Sequence, residues 1–239
     1  MEDSWAMEPG TEPEHRSVRG RSIEAAAAAG FLFSILSFVA LLLLNSAPAL
    51  TASDAELNAW YSDKGNRTSL TVGLSMAVYA AVSFLWFVAV IRKRAGDRED
   101  KFFSTVFLGS GILLTGVMLA GAAAQASPAI AVDLADGRIP HTGTIAALNG
   151  LGTSLLLIVL PRLHAVFMIS TSTMTLRAGA FSRSLSYLGY GVALLMFFTP
   201  VLFEPIGLAF PLWVGILSAA MIYRRNEIIP RGGDTESPL

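Results

Sequence analysis

Arg162 and His164 follow Pro161 inside the apolar run IVLPRLHAVFM, residues 158–168. Ionisable side chains within a membrane segment are costly and mark ion or substrate paths, so this stretch is the first candidate for chemistry. At about 100° per residue, two positions apart on a helix face different sides, so Arg162 and His164 do not make one two-residue site. Any shared function needs them in separate roles. Pro161 removes one amide and leaves the Leu157 carbonyl, four residues back, without its usual partner. An arginine at mid-bilayer costs from about 2.5 to well over ~10 kcal/mol. No carboxylate offsets that cost at matching depth, because Glu24 lies at a helix end and Glu204 in the turn FEPIG. Arg162 must rely on hydroxyls, backbone carbonyls, water or snorkelling.

Depth decides the meaning of Arg162. Ile145–Leu176 would be near 48 Å as one helix, longer than a simple crossing of a core about 30 Å thick. A span starting at Ile145 puts Arg162 about 26 Å in, near the cytoplasmic face, whereas a start near Leu151 puts it about 16 Å in. Asn149-Gly150 reads as a helix break and favours the later start. The sequence favours a snorkelling, structural Arg162 beside a helix kink at Pro161.

The elements that must carry these residues are membrane helices. The chain is 53% hydrophobic and 15% charged, with mean hydropathy +0.57. Six continuous apolar runs without period-two alternation predict an all-α polytopic bundle of six transmembrane helices. They are 25–44, 70–91, 102–124, a span within 145–176, 185–203 and 207–223. The flanks, 1–24 and 224–239, read as disordered cytoplasmic tails around one transmembrane domain, 25–223. Ala47-Pro48-Ala49 resembles a signal-peptidase site, but the preceding run of 20 residues exceeds the ~7–15 of a signal core, so retention is expected. N-terminal sequencing that began near Leu50 would overturn this.

Basic residues set the orientation. Arg16, Arg19 and Arg21, then Arg92, Lys93, Arg94, Arg98 and Lys101, then Arg177 and Arg183, then Arg224, Arg225 and Arg231 all fall on one side. Lys64, Arg67 and Arg138 fall on the other. Both termini are therefore expected in the cytoplasm.

The first outer loop, SDAELNAWYSDKGNR, begins with a capping box, Ser53 and Glu56. Leu57, Trp60 and Tyr61 form an apolar stripe, and Lys64-Gly65-Asn66 reads as a stop. This predicts a short helix on the bilayer surface with Trp60 and Tyr61 as interfacial anchors, in preference to a lid. The second outer loop, SPAIAVDLADGRIPHTGT, carries Asp133, Asp136 and His141, whose spacing matches no regular metal-ligand pattern. Gly73, Ala77 and Ala81, Gly116, Ala120 and Ala124, and Gly189 with Gly191 are small-residue stripes suited to close helix contact or to dimerisation.

The absence of cysteine excludes disulfides and thiolate sites. The sequence has no phosphate loop, no HExxH, no nucleophile elbow and no embedded carboxylate pair. A single embedded histidine cannot ligate a membrane haem from two sides. Ser170 and Ser172 lie near His164, but helical hydroxyls usually bond to the preceding turn. No cofactor and no metal are expected, and without a basic stripe interleaved with aromatics no nucleic acid is expected.

Residues 60–67 (WYSDKGNR), 170–197 (STSTMTLRAGAFSRSLSYLGYGVALLMF) and 210–218 (FPLWVGILS) resemble uncharacterised six-span membrane proteins of actinobacteria. The resemblance implies a bacterial plasma (inner) membrane and assigns no functional residue. The partners expected are the lipid bilayer and a second copy or another membrane protein. The function expected is structural or accessory. The alternative is a small-molecule or ion transporter or channel with a path near the Pro161 kink; liposome flux unchanged by Arg162→Ala would remove Arg162 from that role.

Overall fold

The structure, a computed structural model, describes residues 12–95, 101–177, 182–198 and 204–228, and these are helical apart from short turns. The helices are α1 (Glu12–Leu44), α2 (Asp54–Ser62), α3 (Lys64–Ala95), α4 (Lys101–Leu134), α5 (Thr142–Arg177), α6 (Arg183–Phe198) and α7 (Ala209–Ile228). A 3-10 turn, Glu204–Leu208, leads into α7. Among the described residues, five stretches are long and apolar enough to cross a membrane: Glu24–Leu44, Lys64–Arg92, Ser104–Leu134, Thr142–Arg177 and Ile206–Tyr223. The protein is thus a multi-pass membrane protein. The helix α6, with 16 residues, spans about 24 Å. Residues 199–203, the rest of that expected span, lie outside the described residues.

Several boundaries differ from the sequence reading, each for a local reason. The helix α1 begins at Glu12, inside the stretch expected to be an unstructured tail. Extending an existing helix adds one bond per residue without a new nucleus, which favours continuation. The helix α7 likewise continues to Ile228, past the expected boundary at 223. Lys64-Gly65-Asn66 does not stop α2; it forms the first turn of α3. Asp63 makes the junction, because its backbone amide bonds the Trp60 carbonyl while its Oδ1 accepts from the Asn66 amide at 3.0 Å. The helix α4 runs through Pro128 to Leu134 rather than ending before it. Complete burial of Ala126, Ala129 and Val132 offsets the hydrogen bond that the proline cannot make.

The helix α1 packs against α3 and α7, α4 against α3 and α5, and α6 against α5. Gly73, Ala77 and Ala81 are buried in the first of these contacts, and a Cβ on Gly73 would lie 3.1 Å from Leu43 and Leu44. The main core holds an aromatic cluster of Phe33, Phe84, Phe87, Phe107, Phe167, Phe210 and Trp213. A second core, at the end of the bundle that carries α2, gathers Leu57, Tyr61, Leu70, Val132 and Ile145. Large apolar side chains such as Ile35, Trp86, Leu195 and Phe198 point outward, as contact with lipid requires.

Candidate functional site

The stretch around Pro161 is built on one unbroken helix. Asn149-Gly150, expected to break it, lies within a continuous α-helix that runs from Thr142 to Thr153. Residues Ser154–Val159 then form a π turn, and α-helical geometry resumes at Leu160. The Leu160 amide donates to the Leu155 carbonyl, five residues back. Single π turns of this kind concentrate at functional positions because they re-aim the side chains that follow. Arg162 lies 20 residues beyond Thr142, about 30 Å along the axis. Its Nη1 donates to the Ile158 carbonyl at 2.8 Å, so the guanidinium folds back along its own helix and serves the backbone.

His164 points elsewhere. It is buried, and its ring stacks on Phe210 at 3.9 Å between centroids with 9° between planes. Its Nδ1 meets no partner among the described residues. A cavity of about 30 Å³, measured as the space open to water centres, lies between α1, α5 and the start of α7. Its wall includes Ser37, Leu156, Pro161, His164 and Met118, but not Arg162. The fold therefore separates Arg162 from His164, in agreement with their helical spacing.

Ser170 donates to the Val166 carbonyl at 2.9 Å and Thr171 to the Phe167 carbonyl at 2.8 Å, as helical hydroxyls do. Ser172 is the exception. Among the described residues its buried Oγ has no partner; it faces Gly189 of α6, close to Nε1 of Trp213, which has none there either.

A second polar constellation, at the α2 end, was not legible in the sequence. Arg67 is buried, and its Nε donates to Asp133 at 2.7 Å. Its Nη1 donates to the Tyr61 carbonyl at 2.7 Å and to the Ser62 carbonyl at 2.9 Å. One guanidinium thus joins the end of α2, the start of α3 and the end of α4. Arginine suits this position because its fixed fork supplies several donors at once.

Tyr61, expected at headgroup level, is enclosed by protein instead. Its hydroxyl and the Asn149 amide exchange hydrogen bonds at 3.3 and 3.4 Å. Trp60, half-buried, lies edge-on to the Tyr61 ring at 4.8 Å. The capping box at the head of α2 is formed: the Ser53 amide donates to Glu56 at 2.7 Å, and the Glu56 amide donates to Ser53 Oγ. The backbone and hydroxyl donors of Ser53 hold the Glu56 carboxyl below its ordinary range. Asp133 is taken by Arg67, and His141 caps α5 by accepting the Gly143 amide at 3.1 Å. Among the described residues no three acidic, histidine or cysteine side chains converge on a metal position.

Burial raises the Tyr61 phenol above its ordinary value of 10.0, partly opposed by the bond with Asn149. In the unfolded chain the phenol ionises near 10, while in the fold it stays neutral to higher pH. Stability tied to the neutral phenol is therefore intact below pH ~10 and falls as pH rises from there through the folded value. Tyr61→Phe is expected to cost about 1 kcal/mol at neutral pH and to flatten the alkaline decline. Unfolding curves in mild detergent across alkaline pH test this; an equally steep decline in both proteins would remove Tyr61 as its source.

No family model, curated protein or solved structure matches this chain.

Proposed function

We propose that this is a six-span protein of a bacterial plasma membrane, with both termini cytoplasmic. We further propose that it works without catalysis, as a structural or accessory component bound to other membrane proteins or to a second copy of itself. The division of Lys and Arg between alternate loops supports the orientation, and the apolar helix α6 supports a sixth crossing.

The observation that carries the accessory role is the outward face of α4. Gly109, Ile112, Leu113, Gly116 and Ala120 share one face, and all are exposed. A Cβ on Gly109 or Gly116 would meet nothing within 4 Å among the described residues. Inside the bundle the same chemistry, Gly73, Ala77 and Ala81, is used to bring α3 against α1. In lipid, small residues permit the close backbone approach that replaces a hydrophobic driving force between helices.

The chain's lack of cysteine makes the test direct. Leu113→Cys in native membranes is expected to cross-link to a second copy or to a membrane partner, and adding Gly116→Leu is expected to abolish the product. Leu42→Cys, on the exposed face of α1, is the control. A Leu113→Cys yield no higher than that control would end the proposal.

A further inference from the structure

The cavity beside Pro161 has more polar demand in its wall than its apolar surroundings suggest. We propose that it is a water-binding site inside the membrane domain, holding about two ordered waters between α1 and α5. Three groups point to this.

Ser37 Oγ, from α1, and His164 Nδ1, from α5, both line the cavity, are 5% exposed as residues, and meet no partner among the described residues. Leaving such groups unsatisfied in a buried position is costly, because each has lost its hydrogen bonds to water. The third group is the Leu156 carbonyl. Its ordinary donor four residues on, the Leu160 amide, is committed to Leu155. The donor five residues on would be residue 161, a proline, which has no N–H. Leu156, Leu160, Pro161 and His164 all line the same cavity, and helical carbonyls point along the axis toward the following turn.

Size and chemistry select the occupant. A water needs roughly 10–15 Å³ of this measure and two to four polar partners, so about 30 Å³ admits about two. Hydroxyl groups of water can donate to the carbonyl and either donate to or accept from Ser37. They also satisfy His164 Nδ1 in either tautomer. An aliphatic lipid chain satisfies none of the three, and a larger polar ligand does not fit. Water inserted where a helix loses its regular ladder is one of the recognised causes of a bend. The π turn, Pro161 and the hydrated pocket then form a single joint in α5.

The test is hydroxyl-radical labelling of the full chain in lipid nanodiscs by a short X-ray pulse, read by mass spectrometry. Radicals generated from bound water modify the side chains beside it. Met118 lines the cavity and Met168 is fully buried away from it, so the two form an internal comparison. Met118 is expected to be labelled several-fold faster than Met168, and the double variant Ser37→Ala/His164→Leu is expected to remove most of that difference. Equal rates at Met118 and Met168 in the wild type would overturn the proposal. So would a folded double variant that keeps the wild-type rate at Met118, because that labelling would come from outside the cavity. Where the double variant does not fold, the single variant Ser37→Ala takes its place: a reduced Met118 rate supports the proposal and an unchanged one overturns it.

Discussion

Replacing Arg67 with alanine is expected to lower the stability of the folded protein by about 2–4 kcal/mol. The loss comes from three directions at once. Asp133 is left without its cation, and the carbonyls of Tyr61 and Ser62 lose their donor in a region that water reaches poorly. The estimate sits below the upper range for broken buried pairs because the Asp133 side chain is 43% exposed and can rehydrate, whereas that of Arg67 is 10% exposed. Asp133→Asn should therefore cost less, about 1 kcal/mol, since the two carbonyl contacts survive and the amide oxygen still accepts. Arg67→Lys should fall between them, because an ammonium cannot reproduce the spread of the guanidinium fork. Denaturant unfolding in one detergent at fixed pH orders the three. An Arg67→Ala protein within about 0.5 kcal/mol of wild type would show that this contact does not hold the α2 end together.

Gly152→Val is expected to be the most damaging change in the membrane core, at about 3 kcal/mol or more if the protein folds. A Cβ at position 152 would lie 3.0 Å from the backbone nitrogen of Gln125 and 3.0 Å from the Gly121 carbonyl. Both are backbone atoms of α4, so no rotamer change relieves the clash; α4 and α5 must separate. The approach is reciprocal, since a Cβ on Gly121 would meet Leu156 at 2.8 Å. Gly150 provides the contrast within the same helix turn. Among the described residues nothing lies within 4 Å of its Cβ position, so Gly150→Ala is expected to be neutral or to stabilise by up to about 1 kcal/mol through helix propensity. Thermal unfolding of the two variants side by side is the measurement. A Gly152→Val protein as stable as Gly150→Ala would contradict the close crossing of α4 and α5.

These two cases show where sequence reasoning reached and where it ended. The long apolar runs identify α1, α3, α4, α5 and α7 because hydropathy over a bilayer's length is a local property. The capping box at Ser53 was legible for the same reason, since both partners lie within one turn. Asn149-Gly150 reads as a break in the sequence because Gly and Asn are weak helix formers taken alone. In the fold, Asn149 is paired with Tyr61 88 positions away and the helix continues. The sequence points Tyr61 to the headgroups because an aromatic stripe on a short helix looks the same whether it faces lipid or a neighbouring helix. Pro128 marked a loop in the sequence, while the burial of its neighbours carries α4 past it. Arg67 and Asp133 were visible as charges at the ends of apolar runs. Nothing along the chain indicated that those ends meet. Ser37 gave no signal at all: one hydroxyl in a greasy helix is unremarkable until a histidine from another helix shares its cavity.

The contacts at the α2 end also carry information about the order of assembly. Arg67 finds Asp133 66 positions later, Gln125 reaches back 81 positions to the Leu44 carbonyl, and Tyr61 waits 88 positions for Asn149. As the chain leaves the ribosome, α1, α2 and α3 exist before any of these partners has been made. The Arg67 cation stays at the water boundary until α4 enters the bilayer, and α2 has no polar latch until α5 follows. The hairpin of α1 and α3 can close early on its own small residues, but its cap can be sealed only after more than half of the protein has been synthesised.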